Sequence, residues 1–470
     1  MRGIISAAGY VPHHRLDRSE IAAFFGAGGG KGTRSVASYD EDTTTLAVEA
    51  GRLALRDAGA TAAPRSVWFA TSTPTYVDKT NATIIHAALR LDRDAGAFDL
   101  GGGVRSGIGV LRNALLGGDA ATLVTAADIR VANPTSPDEA SSGDAGAAIL
   151  VGDDSAGPVI AELLGAASAT REFLDTWRSP GEAETHHWEE RFAQTQFEPL
   201  AADAWTEALK DAGVTATDVT TLVVTGAHAR SVKSVTKSLG AGVGAVAPDL
   251  ATTVGHVGTA DAALRLTAAL EAAGPDEVIA LVGLADGVDV LILRTTEAIA
   301  DWHPSRTVND QAAERPGNLA YAKFLSWRGA VTVQPPNRPL PARMSASAAG
   351  RSVDWKYGFV GSKDRASGAV HLPPARVSYD GGNVDDSDPI PMADTQGTVA
   401  TFTVDRLAYS PSPPVIFAVV DFDGGGRLPV ELTDTTPDEI EIGAQVEMTF
   451  RRLNAADGIA NYFWKARPVR

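Results

Sequence analysis

No cysteine occurs in the 470-residue chain. That absence excludes disulfides, thiolate metal sites and a thiol nucleophile. It also leaves the redox compartment unread. Positive charge is scarce too: 41 Lys and Arg face 58 Asp and Glu, a formal net charge of −17. An anionic protein gains nothing from releasing the counterions of a phosphate backbone, so nucleic acid is not an expected partner. Coenzyme A or a carrier protein, themselves anionic, would need a local basic patch. No apolar run reaches the roughly 18 residues of a membrane span. The opening "MRGIISAAGYVPHHRL" has an apolar stretch of strand length, not a signal peptide's core. A soluble, cytoplasmic protein with no membrane partner is the expectation. What is present is ordinary for a folded chain, 44% apolar and 21% charged, and the length calls for two or three domains.

Residues 1–298 alternate strand-like and helix-like segments, the pattern of an α/β layered fold. "SVWFATST" and "TLVVTGAH" are short β-rich runs ending in small polar residues, whereas "TLAVEAGRLALRDAG" and "ADAALRLTAALEAAG" have helical spacing and stop at Gly. The segment 54–74 parallels 208–228, and 116–128 parallels 272–287, which divides the region into halves 1–155 and 156–298. A polar insert, 165–197, reads as a loop or cap over a site. Residues 299–355 are Pro-rich and aperiodic, as in a linker wrapped on a surface. From about 397 short alternating strands with Gly turns suggest a small barrel.

Several pieces of the first 298 residues carry a resemblance: "DEDTTTLAVEAGRLALRDAG", "FDLGGGVRSG", "GDAGAAILVGD", "VVTGAH" and "VGHVGTADAAL". The region resembles the thiolase superfamily in its ketoacyl synthase III and hydroxymethylglutaryl-CoA synthase branch. "WKYGFVGSKDRASGAVHLPPARVSYDGG", "GTVATFTV" and "NYFWKARP" resemble the zinc-ribbon and OB-fold proteins that accompany such enzymes. The resemblance implies a five-layered duplicated α/β fold, then a degenerate rubredoxin-like ribbon at 356–390 and an OB-fold β-barrel at 391–470. It also implies a homodimer and acyl-CoA or acyl-carrier-protein thioesters as substrates.

In that family a cysteine at a helix N-terminus attacks the thioester, with His and a second His or Asn moving protons and binding the oxygen. The cysteine position falls on Val104 in "Val104-Arg105-Ser106-Gly107", which cannot be acylated. The His falls on His228 and the Asn on His256, and these are the candidate catalytic residues. The synthase branch's general-base Glu falls within Thr71 to Pro74, where no carboxylate stands. The ribbon's two Cys-x-x-Cys pairs fall on Asp364 with Ser367 and Ser378 with Gly381. Ser is a poor zinc ligand and Gly has no side chain, so no zinc and no cofactor is expected.

Each signal has a plainer reading. A lone strand-end His such as His228 often serves structure alone. Ser106 is either a replacement nucleophile or a small helix-start residue. Arg105 meets a substrate phosphate or carboxylate, or a neighbouring Asp. Tyr76, with Asp78 and Lys79, and Gly258 beside His256 complete the candidate substrate-binding set. "GAGGGKGT" (26–33) misses phosphate-loop spacing and reads as a loop near the site mouth. "DFDGGGRL" is a hairpin turn rather than a calcium loop. Tyr462, Phe463 and Trp464 are read as core or interface, because a basic–aromatic stripe is missing. Three functions follow. The first is a thioester enzyme without covalent catalysis, working by aldol or retro-aldol chemistry or direct acyl transfer. The second is a non-catalytic acyl-binding or scaffold partner. The third is a condensing enzyme of the hydroxymethylglutaryl-CoA synthase type.

Overall fold

Fully buried runs such as "TLVTAAD" and "VIALVGL" can only be strands that other layers cover on both faces. Ten strands join in one sheet of the computed structural model, which describes residues 1–59, 63–118, 120–240, 242–314, 317–334 and 337–469. Parts of the quoted repeat and of the Pro-rich stretch (60–62, 119, 315–316 and 335–336) lie outside the described residues. The first five strands are β1 (Arg2–Tyr10), β2 (Ser66–Thr71), β3 (Gly96–Gly101), β4 (Thr122–Asp128) and β5 (Ala145–Asp153). The next five are β6 (Ala161–Ala169), β7 (Thr221–Gly226), β8 (Ala245–Val246), β9 (Val278–Leu284) and β10 (Val288–Thr295).

Their order is β8-β7-β9-β10-β6-β1-β5-β4-β2-β3. Counted within each half, both halves run third, second, fourth, fifth, first. In both, the second strand is parallel to the third and fourth, and the fifth is antiparallel to its neighbours. The sequence repeat is therefore a structural duplication. Helices alternate with the strands: α1 (Thr43–Ala58), α2 (Ala82–Ala88), α3 (Arg105–Leu116), α4 (Glu190–Ala212), α5 (Ala229–Leu239) and α6 (Asp261–Leu270). The helices α3 and α6 hold equivalent places in the two halves and contribute to one apolar core, with Ile108, Leu111, Leu264 and Leu266 all buried. Burial of each such side chain stabilises the fold by about 1.5–3 kcal/mol. Gly107 permits the close approach, since a Cβ there would lie 1.9 Å from the Thr259 carbonyl oxygen.

Two segments differ from expectation. Residues 165–169 of the polar insert belong to the sheet strand β6, and 190–197 open α4; only 170–189 form a loop. Small residues explain the strand, because a Cβ on Gly165 would meet the backbone of Ala212 at 2.4 Å. Within the Pro-rich stretch lie short helices at Val308–Ala313, Tyr321–Trp327 and Ala346–Arg351, each too brief for a visible period. Gln311 in the first is fully buried and bonds Val11 N–H and the Gly9 carbonyl.

The chain divides into two compact units: Met1–Ala37 with Leu46–Thr83 and Leu91–Ala330, and Ser38–Thr45 with Ile84–Arg90 and Val331–Arg470. The second holds a three-stranded sheet (Val360–Asp364, Val370–His371, Ser387–Pro391) and a closed barrel. The barrel strands are β11 (Gly397–Asp405), β12 (Val415–Phe422), β13 (Arg427–Leu432), β14 (Gln445–Ala456) and β15 (Ile459–Pro468), in the order β11-β12-β13-β15-β14. "DFDGGGRL" spans the β12–β13 hairpin, and Tyr462 and Trp464 are core. Arg451 and Lys465 are fully buried in the barrel. Their charges are met from the Ser38–Thr45 segment as well as from the barrel. Arg451 lies 2.5 Å from Glu41 and 2.7 Å from Asp434; Lys465 lies 2.9 Å from Asp40 and 2.5 Å from Glu431. Tyr462 donates to Asp42 at 2.6 Å.

Candidate active site

The turn after β3 delivers Val104 as the residue capping α3, with no side-chain acceptor for the helix's first N–H groups. A cavity of about 120 Å³ opens there. Its walls include Val104, Asp175, His228 and Asp286, with Arg130 and Arg178. The valine thus stands at a dipole-favoured position inside a polar cleft.

His228 ends β7 and precedes α5, and it is 8% exposed. Its Nε2 lies 2.7 Å from the Asp175 carboxylate. Burial pushes the imidazole pKa down. Asp175, with Glu190 and Asp138, pushes it up and prevails, so the value is raised. Asp175 belongs to the 170–189 loop, whose hairpin pairs Thr176–Trp177 with His186–His187. Trp188 N–H donates to the Asp175 carbonyl at 2.8 Å, and Trp177 stacks on His186. His187 pairs with Asp138 and meets the His228 ring edge-on at 5.2 Å.

Asp286 occupies the β9–β10 turn beside Gly103, where a Cβ would be 3.5 Å from its carboxylate. Burial raises its carboxyl pKa, and the charge of Asp175 adds to this against Arg105. Where the family's Glu would fall, the Thr71–Thr73 turn is tied to buried Asp128 instead. That carboxylate accepts from Thr71 and Thr73 hydroxyls and from Ser72 N–H and hydroxyl, as well as from Thr259 N–H. Gly258 serves this knot: with φ +61°, it places Asp128 where a Cβ would be 2.0 Å from an oxygen. Its place is set by this close packing, and it does not line the cavity.

The other sequence candidates sit as follows. His256 is buried and does not line the cavity; its Nε2 is 4.0 Å from Asp261, and burial lowers its pKa despite that charge. The structure therefore does not bring the two histidines to one wall. Arg105 is committed to neighbours, at 2.8 Å from Asp289, 2.7 Å from the Asp286 carbonyl and 2.9 Å from Thr170. Ser106 donates to the Gly101 carbonyl at 3.3 Å and is not on the cavity wall. Tyr76 lies off it as well, its N–H donating to Asn81 and its ring 5.9 Å from the Lys79 ammonium. The glycine loop 26–33 packs on Thr135 and Thr252 rather than at the cavity. Asp175, Arg178 and Asp286 were missed. The first two are in the aperiodic insert, and only the Asp-Gly dipeptide at 286–287 signals the turn holding the third.

The four positions that the zinc-ribbon resemblance implies do not form a zinc donor set. Asp364 accepts from Ser367 N–H at 2.7 Å, from the Ser367 hydroxyl at 2.8 Å and from Asn383 at 3.1 Å. Ser378 contacts His371 at 3.3 Å. Asp364 and Asn383 join the two knuckles by hydrogen bonds.

Residues 390–451 match the family described as ChsH2, C-terminal OB-fold domain. The hydroxymethylglutaryl-CoA synthase of Archaeoglobus fulgidus is 28% identical over 343 residues, covering 70% of this chain and 98% of that protein. Among solved structures, PksG, a HMG-CoA synthase from Bacillus subtilis, is similar with a TM-score of 0.59 and 18% identity, over 70% of this chain and 88% of that one. The 3-oxoacyl-(acyl carrier protein) synthase III of Pseudomonas aeruginosa PAO1 follows with TM-score 0.53 and 21% identity, over 63% and 98%. The chain combines a thiolase-like fold with a C-terminal OB-fold domain.

Proposed function

We propose that this thiolase-like protein binds an acyl thioester beside Val104 and acts on its carbonyl without an acyl-enzyme intermediate. The chemistry is aldol or retro-aldol carbon–carbon bond formation or cleavage, or direct acyl transfer. One observation carries the reading: the His228–Asp175 pair opens on the same cavity as the α3 N-terminus. Asp175 orients the imidazole and favours its charged form. His228 then gives a proton to, or takes one from, the reacting oxygen. Backbone N–H groups at the helix start favour negative charge developing on an enolate or oxyanion. The relatives' names, which specify CoA and acyl-carrier-protein enzymes, support a thioester substrate.

A non-catalytic acyl-binding partner is the second reading, favoured by valine at the nucleophile position and by an Arg105 already saturated by protein groups. A condensing synthase would need an acyl carrier other than a thiol. A panel of acyl-CoA thioesters, followed by product mass and intact-protein mass, separates the three. Turnover without a protein adduct is the expected result. Binding without turnover supports the partner reading, and an adduct revives the condensing one.

A further inference from the structure

Arg130 and Arg178 are both cations of the cavity wall, and the proposed chemistry uses neither. Arg130 is 8% exposed. Its guanidinium reaches only the Ser72 and Thr185 hydroxyls, each at 3.4 Å. Arg178 reaches the Ser72 and Ala183 carbonyls. Among the described residues, neither is ion-paired to a carboxylate. Asp128, whose charge Arg178 feels, already accepts five hydrogen bonds. Of the cavity's own carboxylates, Asp175 meets His228, and Asp286 lies under the charge of Arg105.

Two neighbouring guanidiniums with no carboxylate in direct contact are costly to desolvate, even with the charges of Asp128 and Asp138 nearby. Burial, with the charge of Arg130 added, depresses the Arg178 pKa against the pull of Asp128. The backbone of Arg130 is nevertheless held in place. Its N–H donates to Asp144 at 2.9 Å, and its carbonyl accepts from buried Arg34 at 3.2 Å. Asp144 is itself clamped by Arg34 and Arg328. With its backbone fixed on the cavity wall and its guanidinium held only by long contacts to hydroxyls among the described residues, Arg130 is placed to meet an anion that arrives with a ligand. The cavity volume, about 120 Å³, suits a short chain; a dry cavity near 150 Å³ holds roughly one benzene.

We infer that Arg130 and Arg178 form a carboxylate subsite, so that the substrate is a short acyl group or acceptor carrying a free carboxylate next to the carbonyl that His228 faces. This rests on the proposed thioester chemistry for its orientation, but not for the subsite itself. A planar carboxylate matches the guanidinium fork with two parallel N–H···O contacts. The carboxylate is either the far end of the acyl thioester or part of a free oxo-acid acceptor, and the two sources are separable.

The test is calorimetric binding to the full chain of succinyl-CoA, of butyryl-CoA, its uncharged counterpart of equal length, and of free succinate. Succinyl-CoA is expected to bind about 10- to 100-fold more tightly than butyryl-CoA, the range of a charge-assisted contact. Arg130→Gln and Arg178→Gln should each erase that preference and leave butyryl-CoA affinity within about twofold. Arg178 is less buried, so R178Q, with thermal melting as a check, keeps the test open if R130Q does not fold. Succinate binding that R178Q abolishes, with no thioester bound, keeps the subsite, assigns it to an acceptor and defeats the thioester reading alone. Equal affinity for the two thioesters with no arginine-dependent succinate binding overturns the inference.

Discussion

At residue scale, proton chemistry in the cavity falls to His228, and its replacement by Ala should lower turnover about 10²–10³-fold, the range for one general base or oxyanion donor. Circular dichroism should show the fold retained. His256→Ala should act more on stability than on turnover, because that ring is buried and is not part of the cavity lining. Asp175→Asn removes the charge that raises the His228 pKa. The imidazole titration, followed by NMR, should then move to lower pH, and any acid limb of kcat/KM should move with it. The stability sign follows. A raised histidine pKa stabilises the fold fully below the unfolded-state value of 6.5, and that contribution is lost as pH rises through the folded value. D175N should flatten this slope in denaturation midpoints. Val104 and His228 were legible because a helix start and a strand end fix their positions along the chain. Asp175, Arg130 and Arg178 were not. They reach the cavity by tertiary approach, from a loop without period and from the residue range beyond β4. His228 lines the cavity and His256 does not, because a position along the chain does not by itself fix where a side chain is buried.

Elements set the next scale. The strand–turn–helix unit at β3 and α3 presents Val104 where the resemblance places a thiol. Val104→Cys should therefore place a sulfur at a helix N-terminus in the His228 cavity, where its pKa falls. On incubation with acetyl-CoA, intact mass should gain one acetyl group in the variant and none in the natural chain. The three-stranded sheet of the second unit has its own anchor: Asp364 accepts hydrogen bonds from Ser367 and from Asn383. Asp364→Ala leaves several donors without their acceptor and should lower the midpoint of chemical denaturation. The duplication was legible in the repeated Asp-Ala-Gly boundaries. The helices within the Pro-rich stretch were not, since one or two turns cannot display a 3.6-residue period.

For the whole molecule, β3 is an edge strand of the ten-stranded sheet, with Phe98 56% exposed on it. An uncovered edge of this kind invites pairing with another chain. We expect a two-fold homodimer built on β3, and sedimentation should return twice the mass of the chain. Phe98→Asp should shift it toward one. Buried Arg451 and Lys465 reach further. Their counter-charges Asp40 and Glu41 lie some 400 positions upstream, in a segment that packs with the barrel. A fragment beginning near residue 331 would bury both cations with only Asp434 and Glu431 to answer them, and losing a buried partner costs about 3–5 kcal/mol. On the ribosome the acidic strip emerges first and must wait for most of the chain to be made before its basic mates exist. The barrel is therefore the last part of the protein able to mature. A gene split at the apparent domain border would yield a tail unable to complete itself.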